Sequence, residues 1–168
     1  PMPPLALLTA TATAQVRDDI CQLFKQQSLP ISSQITASLQ RDNLNFQVVP
    51  VKGNKDPLVV KLVQRALDQG GCALVYTTTR NEAESLAQKL QQRGIQAAHY
   101  HGKVLKDEKG KLLREFKKGD LNVVTATCAF GMGINRKDVR AVIHNTPSGS
   151  LESYIQEAGR AGRDGKQA

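Results

Sequence analysis

Apolar residues recur along the chain with two periods. Ala83, Leu86, Ala87 and Leu90 fall at i, i+3, i+4 and i+7, which lines one face of a helix over 81–93 that stops at Gly94. Val59, Leu62, Val63, Ala66 and Leu67 repeat that pattern before Gly70-Gly71, and Leu112, Leu113 and Phe116 do so before Gly119. Between these stretches lie short apolar runs that suit strands buried on both faces: 72–76, 96–99, 121–125 and 139–143. Strands alternating with helices predict right-handed crossovers and a parallel sheet flanked by helices on both faces, an α/β fold.

The beginning of the chain reads differently. Residues 5–10 suit a strand and 13–27 a helix with Val16, Ile20, Leu23 and Phe24 on one side, after which 28–43 is polar and irregular. The expected organisation is therefore a strand and helix within 1–27, a linker over 28–43 and the α/β unit over 44–168.

Composition narrows the function classes. With 23 Lys+Arg against 15 Asp+Glu the formal charge is +8, which favours polyanionic partners. Aromatic residues make up 4% of the chain and Trp is absent, so base stacking is not expected to be the main binding device. The longest apolar runs fall far short of the roughly 20 residues that cross a bilayer, so no membrane span is expected. Cys21, Cys72 and Cys128 are about 50 residues apart, a spacing that suits neither a disulfide framework nor a structural zinc and points to a reducing, intracellular setting. The opening Pro1-Met2-Pro3-Pro4 lacks the regions of a signal peptide, so no export address is read there.

Ligands of parallel sheets gather at the carboxyl ends of the strands. These ends carry Thr77, Thr78, Thr79 and Arg80; His101 and Gly102; Thr125 and Thr127; and the stretch from His144 to Ser150. Hydroxyls, backbone amides and a guanidinium there suit phosphate contacts that do not read bases. Capping of the following helix competes for the threonines at 77–79. Phe130 and Met132 are candidates for base contact, with packing as the competing role. His99 and His101 would face one side of a strand, but no third ligand stands at a suitable spacing, so no metal site is expected. Seven basic residues between Lys103 and Lys118 form either a DNA-attracting segment or a solvated helix face.

The most specific string is Gln156-Glu157-Ala158-Gly159-Arg160-Ala161-Gly162-Arg163-Asp164-Gly165, on or just after a helix beginning near Ser150. A helix continued through it would put Arg160 and Arg163 on one face, able to grip one phosphate. This string resembles the sixth motif of superfamily two helicases in the form found in RecQ-type DNA helicases. Residues 126–135 resemble the fifth motif of that family, 74–80 the fourth and 8–12 the third. The phosphate-binding Gly-x-x-x-x-Gly-Lys-Ser/Thr loop and the acidic Mg²⁺ motif of the first RecA-like lobe do not occur in the sequence.

The resemblance implies a second RecA-like lobe preceded by the end of the first. It implies ATP and Mg²⁺ held mainly by the first lobe, with Arg163 and secondarily Arg160 as an arginine finger and Gln156 positioning them. It further implies Asn135 or Asp138 at the nucleotide sugar, and Thr9 and Thr11 relaying between nucleotide and DNA sites. The implied partners are single-stranded and partly duplex DNA and the first lobe of the same polypeptide, with DNA repair and recombination as the setting. The isolated lobe would then be inactive. Two other readings stand beside this one: an RNA helicase lobe, disfavoured because the 156–165 string lacks a His-Arg opening, and a free-standing basic nucleic-acid-binding module.

Overall fold

The computed structural model describes residues 5–9, 12–29, 31–36, 40–127, 130 and 136–168. These divide into two compact units, residues 1–40 and 41–168.

The first unit holds one helix, α1 (Ala14–Gln26), capped by the Thr13 hydroxyl, which accepts the Val16 amide at 3.3 Å. No residue of α1 is buried, so its apolar face finds no core within the unit. The expected strand over 5–10 is absent among the described residues, where 5–9 is irregular and Leu8 is 94% exposed. A strand is stabilised by its neighbours on a sheet, and these residues have none.

The second unit begins at Arg41, inside the stretch expected to be a linker. Its elements are α2 (Asp56–Asp68), β1 (Cys72–Tyr76), α3 (Arg80–Gln91), β2 (Ala97–Tyr100), α4 (Lys106–Lys118), β3 (Val123–Ala126), β4 (Val139–His144) and α5 (Leu151–Ala158). The strands form one sheet in the order β2-β3-β1-β4, every pairing parallel. β1 and β3 take the two central positions and are buried along their whole length.

Side-chain alternation on these strands sends residues to two separate cores. Ala73, Val75 and Val123 face one layer, where Val59, Val63 and Ala66 of α2 meet Leu86 and Leu90 of α3. Cys72, Leu74, Tyr76 and Val124 face the opposite layer with Leu112 and Phe116 of α4 and Phe130. The expected parallel sheet with helices on both faces is therefore present. Burial pushes the Cys72 thiol up to about 12, which makes it a packing group.

Backbone crowding at the start of the sheet sets one residue choice. A Cβ on Gly71 would come within 2.3 Å of the Arg140 side chain and 2.5 Å of the Asp138 carbonyl, so β1 approaches β4 through a residue without a side chain. Arg136 closes the bottom of the second core. Its guanidinium donates to the Phe116 and Leu121 carbonyls at 2.8 and 2.7 Å, forms a fork with both Asp138 oxygens at 2.8 and 3.0 Å, and lies 4.9 Å over the Phe116 ring.

Phe116 is 1% exposed and shares its core with the Phe130 ring at 6.2 Å, so Phe116→Ala should lower unfolding free energy by about 3–5 kcal/mol in a urea titration. Hydrogen bonds from Arg136 hold the Asp138 carboxyl below its usual range. The resulting stability is present above pH about 4 and is lost as pH falls through the lowered folded-state value. Asp138→Asn should therefore show a smaller acid loss across that window when melting temperature is followed against pH.

Candidate nucleotide and nucleic-acid site

All four strands run the same way, so their carboxyl ends share one edge of the sheet. Thr77–Arg80 follows β1, His101 and Gly102 follow β2, Thr127 follows β3, and residues 145–150 follow β4. The edge is the expected one, but several of its side chains turn inward.

Thr125 is fully buried, its hydroxyl donating to the Ala83 carbonyl at 2.6 Å. Phe130 is 1% exposed, with ring contacts to Tyr100 at 4.7 Å and Phe116 at 6.2 Å. Both side chains, expected at the contact surface, are packed inside the fold. Thr125 sits where an alternating strand points a residue at α3, and its hydroxyl is satisfied by that helix's backbone. The Phe130 ring fills the core between Tyr100 and Phe116.

Thr77 is also buried, with its hydroxyl on the Thr79 and Ala126 carbonyls at 3.1 and 3.4 Å. Thr79 caps α3: its hydroxyl accepts the Glu82 amide at 3.2 Å while Glu82 accepts the Thr79 amide at 3.1 Å, a reciprocal capping box. Local capping thus accounts for part of the threonine run. The His101 ring is buried, with Nε2 2.8 Å from Glu84. Thr79, Arg80 and Gly102 are exposed at the edge and Thr127 is half-buried.

The carboxy-terminal motif is built by a helix that stops early. Ser150 caps α5 through its hydroxyl, which accepts the Ser153 amide at 3.1 Å, and α5 ends at Ala158. Arg160 and Arg163 lie in successive turns beyond it, so they are not on a continued helix face. Gly162 then reverses the chain. Its φ is +56°, and an added Cβ would lie 2.4 Å from the Asn43 side-chain amide and 2.8 Å from the Lys166 carbonyl.

Four residues of the second unit, Arg41, Asn43, Val139 and Arg140, clamp this turn. Arg41 donates to the Ala161 and Gly162 carbonyls at 3.1 and 2.8 Å, and Asn43 donates to the Gly162 and Lys166 carbonyls, both at 2.8 Å. The Gly162 amide donates to the Val139 carbonyl at 2.9 Å, which ties the turn to β4. Arg140 of β4, 7% exposed, pairs with Asp164 and holds that carboxyl below its usual range.

The turn brings guanidiniums together. Partial burial lowers the Arg163 pKa, and the neighbouring charges of Arg160 and then Arg41 lower it further. Guanidiniums on one turn are groups suited to a phosphate. Tyr76 lies beneath them: burial pushes its phenol up to about 12, against the opposing pull of Arg160 and Arg163, and its hydroxyl donates to the Phe130 carbonyl at 3.0 Å.

Glu157 is buried under α5, accepting from the Ser148 hydroxyl at 2.6 Å and facing His144 Nε2 at 2.9 Å. Gln156, its neighbour on α5, is exposed. Asp138 has both oxygens on Arg136, a bond that leaves it a local structural partner. Thr9 belongs to the first unit; Thr11 and Asn135 lie outside the described residues. Sequence patterns did not signal Arg41 and Asn43, because they act on a turn about 120 residues away.

Comparison with known proteins matches this geometry to a family. The helicase conserved C-terminal domain matches residues 54–165. The chain is 42% identical to the ATP-dependent DNA helicase RecQ of Bacillus subtilis over 97% of its length, and 39% identical to a putative ATP-dependent DNA helicase Q1 of Caenorhabditis briggsae over 98%. It spans about a quarter of these relatives, 27% and 26% respectively. Among solved structures, Dbp5 of S. cerevisiae bound to RNA and ADP BeF3 superposes with a TM-score of 0.71 at 19% identity, covering 95% of this chain and 42% of that one, a likeness of fold. The helicase domain of Pyrococcus furiosus Hef gives 0.54 at 30% identity, covering 67% of this chain and 25% of that one. The chain therefore belongs to the helicase conserved C-terminal domain family and is, within it, similar to the RecQ-type DNA helicases.

Proposed function

We propose that this chain supplies the second motor lobe of an ATP-dependent RecQ-type DNA helicase, which couples ATP hydrolysis to movement along single-stranded DNA and duplex unwinding. The observation that carries the reading is the 156–165 string itself, whose Arg160 and Arg163 lie on a turn built at Gly162 and bonded by Arg41. Sequence similarity to ATP-dependent DNA helicases supports the nucleotide as the anion concerned.

In this reading ATP and Mg²⁺ are bound mainly by a first RecA-like lobe. Arg163 reaches across to the γ-phosphoryl group, where its guanidinium stabilises charge that develops on the equatorial oxygens. Arg160 sits against Tyr76 and adds field from beneath, and Gln156 on α5 positions the motif. The ribose contact falls to Asn135, since Arg136 occupies Asp138. Thr9 and Thr11 relay between the nucleotide and the DNA. Without its partner lobe the chain turns over no ATP.

DNA contacts fall to the exposed part of the strand-end edge: Thr79, Arg80, Gly102 and Thr127. A guanidinium, hydroxyls and backbone amides bond phosphates, so binding carries little sequence preference. An RNA substrate is the competing reading for this edge, and affinity for matched DNA and RNA strands separates the two. The setting is intracellular, with DNA repair and recombination as the processes served; none of the described helices is long and apolar enough to cross a membrane.

In a polypeptide that carries both lobes, Arg163→Ala should reduce DNA-stimulated ATP turnover by roughly 10²–10³-fold. Nucleotide affinity, measured by fluorescent-analogue titration, should stay within a few-fold of the parent. Normal turnover in that variant would remove the finger assignment. For the DNA edge, Arg80→Ala should lower single-strand affinity and flatten the slope of log affinity against log salt by about 0.7, the value of one phosphate contact. Thr125→Val should leave that slope unchanged.

A further inference from the structure

The expectation that His99 and His101 lack a third ligating partner fails on a residue fifteen positions before His99. Glu84, near the middle of α3, projects to the end of β2, and one ligand atom from each of Glu84, His99 and His101 lies within 4.8 Å of the others. We propose that Glu84, His99 and His101 form a binding site for a divalent transition-metal ion of the Zn²⁺ class, joining α3 to the end of β2.

The donor set selects the ion. Two imidazoles and one carboxylate suit Zn²⁺ and its neighbours, whereas Mg²⁺ and Ca²⁺ take oxygen donors. Zinc bonds of about 2.0–2.1 Å in tetrahedral geometry place ligand atoms about 3.4 Å apart. With 4.8 Å as the upper bound, no pair has to close by more than 4.8 − 3.4, about 1.4 Å, a distance within reach of side-chain rotation.

The rings are already arranged for it. His99 and His101 stack at 5.2 Å between centroids with their planes 13° apart, as residues two apart on an extended strand do. His101 Nε2 lies 2.8 Å from the Glu84 carboxylate, so an ion takes the place of the proton now shared between them. The other nitrogen, Nδ1, is buried with no hydrogen-bond partner among the described residues, so no second bond pins the ring against turning toward an ion. The His101 side chain is 6% exposed and that of Glu84 is 49% exposed, which gives one sheltered ligand and an open approach for the ion and a completing water. Lys109, on the helix after β2, donates to the Gly102 carbonyl at 2.8 Å and lies 5.7 Å over the Tyr100 ring.

Glu84 and His99 belong neither to the arginine turn nor to the proposed DNA contacts, and His101, a phosphate-contact candidate in the sequence, is buried here, so metal binding can be tested apart from the helicase reading. An ion there would brace the strand end from which the Gly102 turn departs. Titration of the full 168-residue chain with Co²⁺, whose visible bands report coordination, tests it. Expected are one ion per chain, visible bands without thiolate charge transfer, displacement by Zn²⁺, and at least a tenfold weaker affinity in both His99→Ala and Glu84→Gln. Glu84→Gln retains a hydrogen-bonding group for His101, and His99→Ala leaves the His101–Glu84 pair in place, so both variants should fold, as circular dichroism would verify. The absence of visible bands at millimolar Co²⁺, unchanged affinity in His99→Ala, or binding that survives both variants and disappears in Cys21→Ser or Cys128→Ser would overturn the proposal.

Discussion

The arrangement of the carboxy-terminal arginines depends on one steric constraint, the absence of a side chain at Gly162. The Asn43 amide occupies the space a Cβ would need and turns that vacancy into two hydrogen bonds. α5 has ended at Ala158, and with the backbone left-handed at Gly162 the following residues fold back over the start of β4. The Gly162 amide then reaches Val139 and Asp164 reaches Arg140, so the turn rests on a strand whose position the sheet determines. The turn that carries Arg160 and Arg163 is held by hydrogen bonds to its backbone and by a largely buried ion pair.

Two kinds of polar group meet at the strand-end edge, and burial divides their work. Thr125 and Thr77 spend their hydroxyls on backbone carbonyls inside the fold, and Thr79 spends part of its capacity capping α3. Those bonds locate the start of α3 and the loop after β1, and so fix where Arg80 emerges. A fully buried threonine thus serves the proposed nucleic-acid surface by positioning, while the exposed residues beside it are available for contact. The same logic applies beneath α5, where buried Glu157 gathers Ser148 and His144 and anchors the helix that leads into the arginine turn.

The sheet was legible in the sequence because its strands are short, apolar runs bounded by glycine and its helices carry one-sided apolar stripes. Strand 72–76 appears with the expected bounds, and α3 begins one residue before the expected 81. Periodicity speaks only of neighbours along the chain, however. It could not show that Arg41 and Asn43 fold onto 161–166, or that Glu84 stands opposite His101, since these pairings exist only after the layers assemble. The path beyond α5 was hidden for a related reason: the 158–163 stretch has helical spacing, while Asn43 bonds the turn at residues 162 and 166. The strand expected at 5–10 illustrates the converse, a local preference with no sheet neighbour among the described residues.

Most of the clamp on the arginine turn is addressed to main-chain atoms. Arg41 and Asn43 bond the carbonyls of residues 161, 162 and 166, and Val139 receives an amide. Main-chain atoms are common to every amino acid, so the identity of residue 166 can drift through evolution without loosening the loop. Residue 162 has no such latitude. Divergence in this segment should accordingly be uneven, with tolerant positions interleaved among rigidly constrained ones, and the constraint would trace to a partner residue more than a hundred positions away.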